Sequence, residues 1–204
     1  MKKINSIIKI LAGIYPEPVC ALDYTEPHEL LVAARLSAQC TDKRVNKVTP
    51  ALFRRFTSIA DFASADVREV ERYVRSCGLY KTKASDITGM CRMLHEDYGG
   101  VIPDELEELL KLPGIGRKTA NLIIGTLYGK PAIVTDTHVI RLSNRLGLAS
   151  SKVPVKVENA LRALVPEKET MNLCHRLVFF GQEVCRAQRP LCDNCVLKKY
   201  CNFC

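Results

Sequence analysis

The sequence predicts an all-α protein, and three observations carry that expectation. Apolar residues recur at three- and four-residue intervals through most of the chain. Cap-type residues and Gly or Pro breaks divide it into helix-length stretches. No convincing series of strands appears between turn signals.

Ile4, Ile7, Ile8, Leu11 and Tyr15 recur at the spacing of a first amphipathic helix, which stops in the Pro16–Pro18 turn. Residues 26–39 read as a buried helix, because Leu30, Leu31, Ala34 and Leu36 are apolar. Asp42 can cap a helix running towards Phe56. Asp66 can cap residues 67–77, which Gly78 ends in a left-handed stop. A helix from about Thr82 to Tyr98 finishes at Gly99-Gly100. Pro103-Asp104 opens a short helix, Leu112 to Gly116 make a tight turn, and Arg117 to Tyr128 form the next helix. Gly129-Lys130-Pro131 breaks the pattern. Three more helices are expected near 137–147, 155–165 and 170–184, ahead of a Cys-rich tail.

Composition narrows the class. The chain has 204 residues, 30 basic and 22 acidic, for a net charge of +8, and it holds ten cysteines. This length can bury a full core, and 47% hydrophobic content beside 25% charged excludes a disordered chain. The cysteine content is too low for a small disulfide scaffold. No apolar run approaches the roughly 18 residues of a membrane helix. The N-terminal Lys pair resembles a secretion signal, but Lys9 interrupts the apolar run and leaves a helix of the mature protein. A cytoplasmic protein is therefore expected, in which clustered cysteines mean metal more often than disulfide.

The charge is uneven. Residues 111–162 carry nine basic side chains against two acidic ones, which suits a polyanion such as nucleic acid or an ordinary solvated face. Inside that belt lies LPGIGRKTA, residues 112–120. Gly114 and Gly116 allow a sharp turn, and Pro113 presets its entry. The helix that starts at Arg117 then points its first N–H groups out of the turn, a phosphate site that reads no sequence. An ordinary helical hairpin is the other reading. Lys118 falls in the first turn of that helix, and Asp136 lies in VTDTHVIR just before a helix near Thr137. Singly they read as a phosphate contact and an N-cap; with the hairpin and the cysteine tail they form a constellation.

Cys174, Cys185, Cys192, Cys195, Cys201 and Cys204 crowd the last 31 residues. Cys185-x6-Cys192-x2-Cys195-x5-Cys201 offers four thiolates in one compact loop, which suits either tetrahedral zinc or a cubane iron–sulfur cluster. Cys204 adds a competing C-x2-C with Cys201. Cys174 falls outside that spacing and reads as core, as do Cys77 and Cys91.

LPGIGRKTAN, VTDTHVIRLSNRLGL and this cysteine spacing together resemble the helix-hairpin-helix DNA glycosylases, and among them the bacterial endonuclease III group. The similarity runs through LLVAARLSAQCTDKRVNK (30–47) and GLYKTKA (78–84), so it covers nearly the whole chain. It implies a two-lobed fold. Residues 22–131 would form a helical barrel-like domain with the hairpin, and residues 1–21 plus 132–204 an iron–sulfur cluster domain. DNA would cross the groove between them, with Lys118 and Asp136 facing each other.

The function implied is base-excision repair by a bifunctional glycosylase and apurinic/apyrimidinic lyase. Its partner would be duplex DNA containing damaged pyrimidines or abasic sites, bound by a monomer. Lys118 would be the nucleophile and Asp136 its catalytic partner. The chemistry agrees, since a carboxylate stabilises an oxocarbenium-like sugar and an amine can attack the anomeric carbon to form a Schiff base. Gly114, Gly116 and Arg117 would hold phosphate, while Gln39 and Leu79 would fill the gap left by an extruded nucleotide. Cys185, Cys192, Cys195 and Cys201 would hold a [4Fe–4S] cluster, with Arg186, Arg189, Lys198 and Lys199 beside it to meet phosphates. His138 would serve packing or a phosphate contact, and Cys40 stands where many relatives carry a small residue. Related adenine glycosylases typically carry Ser at the Lys118 position, and thymine-mismatch enzymes Tyr. A non-catalytic, metal-held DNA-binding protein is the remaining alternative, against which Lys118 and Asp136 both speak.

Overall fold

A computed structural model describes residues 2–203, and among them there is no strand. The helices are α1 (Lys2–Ile14), α2 (Pro27–Leu36), α3 (Asp42–Arg55), α4 (Ile59–Ala63), α5 (Val67–Val74) and α6 (Tyr80–Asp97). They continue with α7 (Leu106–Leu109), α8 (Arg117–Tyr128), α9 (Thr137–Arg145), α10 (Pro154–Leu164) and α11 (Thr170–Glu183). The chain divides into two compact units, one of residues 20–128 and one that joins the segment up to Val19 with residues from Gly129 onward. No helix among the described residues is long and apolar enough to cross a membrane.

In the first of these units α2 is central, since its apolar run leaves Leu30, Leu31, Val32, Ala33, Ala34 and Leu36 all buried. Helices α3, α6 and α8 pack around it. Glu29 folds back to accept the Thr25 N–H at 2.7 Å, which settles the start of α2. The helix ends at Leu36, short of 39, because Gln39 adopts a left-handed backbone with φ +53°. Thr41, not Asp42, caps α3: its hydroxyl accepts the Arg44 N–H at 3.3 Å, and Asp42 falls inside the first turn. A carboxylate there still favours the positive helix end. Asp66 caps α5 as its position suggests, and a 3-10 turn at Arg75–Cys77 comes next. Helix α6 starts at Tyr80, ahead of Thr82, because Leu79 takes the left-handed conformation that opens it.

The second unit packs α1 and α9 on α11, with α10 against α9. Ile4, Ile7, Ile8 and Leu11 of α1 are buried, as their spacing implies. Arg176 fastens the end of this segment by donating to the Tyr15 carbonyl at 3.0 Å and pairing with Glu169 at 3.2 Å. Gly181 lets α9 and α11 come close, since a Cβ there would lie 2.7 Å from His138 Nδ1.

Gly181→Ala should therefore cost about 1–3 kcal/mol through overpacking, read as a lower denaturant midpoint with an unchanged m-value. Burial also holds the His28 and His175 imidazoles below the usual range. The unfolded chain then binds protons first, so stability is full at neutral pH and falls as pH drops below about 6.5. Denaturant melts from pH 7 to 5.5 should show that decline, and the double variant His28→Gln/His175→Gln should flatten it.

Candidate functional site

The hairpin is anchored by Leu112 and Ile115, which are buried, while Gly114, Gly116, Arg117 and Lys118 are exposed. The Ile115 N–H closes the turn on the Leu112 carbonyl at 3.1 Å, and the Gly116 carbonyl accepts from Ala120 at 2.9 Å as α8 begins. Gly114 is left-handed with φ +73°. Beneath it lies an ion pair that no sequence pattern signals, Arg35 donating through Nε to Asp86 at 2.9 Å. A Cβ on Gly114 would overlap Arg35 Nε and sit 2.7 Å from Asp86 Oδ2. The structure thus brings Gly114, Gly116, Arg117 and Lys118 together on one exposed turn, with the positive end of α8 behind them.

A second neighbour missed by sequence reasoning is Cys20. Burial pushes its thiol up, its backbone bond at Leu22 and the nearby Lys118 ammonium pull it down, and Asp42 raises it. A thiol therefore lies within electrostatic reach of Lys118.

Gln39 and Leu79 are both exposed, Leu79 at 58%. They are two of only three non-glycine residues with positive φ among the described residues, at +53° and +45°. Such backbones cost energy and concentrate where a side chain must be aimed. Nothing in the sequence pattern signals this strain.

In the other unit, Asp136 caps α9 by accepting the Val139 N–H at 2.7 Å. The turn before it is fastened to α11, because the Ala132 N–H donates to Thr170 Oγ1 at 3.2 Å and the Val134 N–H to Cys174 Sγ at 3.3 Å. Cys174 is buried, as its reading as core requires, and burial pushes its thiol up to about 12. His138 reaches Arg141 at 3.1 Å and lies against Gly181, a packing role.

Cys185, Cys192, Cys195 and Cys201 line one cavity together with Arg145, Val184, Pro190, Leu191 and Phe203. Burial raises the Cys195 thiol, as do the other three cysteines around it. Arg145 donates to Cys185 Sγ at 3.2 Å and to the Arg186 carbonyl at 2.8 Å. Arg141 donates to the Cys185 carbonyl through Nε at 3.1 Å. Four thiols lining one cavity, with a guanidinium on one sulfur, are a donor set that suits either tetrahedral zinc or an iron–sulfur cluster. Cys204 lies outside the described residues.

The chain is similar to known proteins. Residues 32–167 match the family model described as HhH-GPD superfamily base excision DNA repair protein. The endonuclease III of Synechocystis sp. is 45% identical over 201 residues, 98% of this chain and 92% of that protein. The endonuclease III of Bacillus subtilis is 42% identical over 98% of this chain and 92% of its own length. The chain belongs to the endonuclease III family. A solved structure of a trapped covalent intermediate between endonuclease III and DNA is 42% identical, with a TM-score of 0.94 over 98% of this chain and 95% of that one. Membership of the endonuclease III family makes this chain a base-excision DNA repair glycosylase with the all-helical fold of that family.

Substitutions at two positions probe this endonuclease III framework. Gly114→Ala should destabilise by about 1–3 kcal/mol, because it adds left-handed strain and displaces Arg35. Thermal melts check that. Asp136→Ala should cost about 1 kcal/mol through the lost cap, whereas Asp136→Asn, an equally good cap, should melt within a few tenths of native.

Proposed function

We propose that this protein is a bifunctional DNA glycosylase and apurinic/apyrimidinic lyase for oxidised or ring-damaged pyrimidines in duplex DNA. The observation that carries the reading is Lys118, an exposed amine in the first turn of α8, directly after a glycine hairpin suited to phosphate. The hairpin N–H groups and the positive end of α8 hold the backbone without reading bases. Arg117 adds charge there. A damaged nucleotide leaves the stack at lower cost than a sound one, and Gln39 and Leu79 fill the vacated space.

Two side chains then carry the chemistry. As the N-glycosidic bond breaks, the Asp136 carboxylate stabilises positive charge on the sugar. The neutral Lys118 amine forms a bond to the anomeric carbon, and the base departs with the bonding pair. The attached nitrogen loses a proton, and its lone pair expels the ring oxygen from that carbon. The sugar opens as an iminium, and the ring oxygen takes up a proton. The iminium acidifies the adjacent C–H, a proton leaves, and the 3′ C–O bond breaks by β-elimination. Water hydrolyses the iminium and frees Lys118. A Ser or Tyr in that position has no route to the iminium, which is why Lys118 supports the lyase reading.

Cys185, Cys192, Cys195 and Cys201 would hold a [4Fe–4S] cluster. It would supply cross-linking that orders the loop bearing Arg186, Arg189, Lys198 and Lys199, with no part in bond breaking.

Borohydride trapping on duplex DNA with an abasic site or an oxidised pyrimidine tests the mechanism. The native protein should form a covalent adduct, and Lys118→Ala none; a normal adduct from Lys118→Ala removes Lys118 from the role. Asp136→Asn should fold normally yet lose at least about a hundredfold in base excision. Purified protein should be brown, with iron and sulfide in equal amounts, and Cys192→Ser should lose both colour and thermal stability.

A further inference from the structure

Lys83 is fully buried, an unusual state for a lysine, and no role in the reaction above accounts for it. Its ammonium donates to two backbone carbonyls, Leu36 at 2.8 Å and Cys77 at 2.7 Å. Both acceptors sit where an element ends, Leu36 at the last residue of α2 and Cys77 at the last of the 3-10 turn. Carbonyls at helix ends lack partners within the helix and carry negative partial charge, so a cation is a matched donor for both. The Cys40 and Cys77 thiols lie beside the same ammonium.

The loops that leave these two carbonyls give the arrangement its meaning. Three residues past Leu36 stands Gln39, and two past Cys77 stands Leu79, both exposed and both with a left-handed backbone. Each such backbone is disfavoured for a residue with a side chain and holds only when its surroundings determine it. One buried cation bonded to the root of each loop does that for both at once. Met or Leu could fill the same volume without the cost of burying an ammonium, so packing alone does not explain a lysine.

We propose that Lys83 is a positioning residue for DNA opening: it ties the roots of two loops so that Gln39 and Leu79 enter the duplex as one unit. This rests on the reading that those two side chains fill the gap left by the extruded nucleotide. Lys83 touches no DNA in this scheme. It acts through the backbone of the loops, and it belongs to the step before chemistry.

The test separates opening from chemistry. Lys83→Met keeps the stem and removes the donors, and Lys83→Gln is a companion that retains an N–H on a shorter stem. Borohydride trapping is timed on duplex DNA with an abasic site and on the same strand alone, where nothing has to be unstacked. Lys83→Met should be slower by about tenfold or more on the duplex, and within about threefold of native on the single strand. Lys83→Gln should show the same pattern more weakly. Hydrogen exchange read by mass spectrometry should show faster uptake in peptides covering 37–40 and 77–80 in both variants.

Equal slowing on both substrates, or none on the duplex, overturns the proposal, as does unchanged uptake in the two segments. Gln39→Ala and Leu79→Ala distinguish this from failure of the underlying reading. If those variants open the duplex normally while Lys83→Met raises uptake in both segments, the gap-filling assignment is what falls.

Discussion

The contact on which the hairpin depends is that between the Gly114 backbone and the Arg35–Asp86 ion pair. Arg35 stands in the last turn of α2 and Asp86 in α6, so their bond joins two helices just where the turn ahead of α8 rests. The pair is largely shielded, with side chains 11% and 22% exposed, so removing either partner would strand a charge in a poor solvent. Only a residue without a Cβ lets the guanidinium lie so close. The direction in which α8 presents its first N–H groups and Lys118 is thereby set from below. Leu112 and Ile115, buried on either side of Gly114, hold the turn down on that support.

A comparable arrangement organises the second unit around α9. Asp136 caps one end of this helix, and Arg145 stands at the other with its guanidinium on Cys185 Sγ and two carbonyls of the cysteine loop. Arg141, one turn earlier, binds the Cys185 and Gly181 carbonyls. The nine-residue helix therefore connects the carboxylate to the cysteine loop as a short rigid rod. The cap at Asp136 and the hydrogen bonds of Arg145 to the cysteine loop thus lie at opposite ends of one helix.

Much of the helical order is legible in the sequence because helices announce themselves locally. The apolar face of α1 is set by Ile4, Ile7, Ile8 and Leu11, and the Asp66 cap by one residue ahead of an amphipathic run. The misreadings have particular causes. Thr41 and Asp42 are both competent caps, and only the extended backbone at Thr41 decides between them. Helix α4 has five residues, too few to show a period, and is held by Phe62 stacking on Phe56 at a centroid distance of 4.9 Å. Leu79 opens α6 in a conformation that no propensity assigns to leucine.

The sequence by itself determined the helical class, the glycine turn before Lys118, the capping position of Asp136 and the four-cysteine spacing. Each of these is a pattern within a few residues, where backbone geometry translates directly into order along the chain. Tertiary structure alone decided what supports them. Arg35 and Asp86 are 51 residues apart, Lys83 and Leu36 47, and Arg145 and Cys185 40. Pairs at such separations have no periodicity to betray them. A buried cation finds its acceptors only after the helices have packed and excluded the water that would otherwise solvate it.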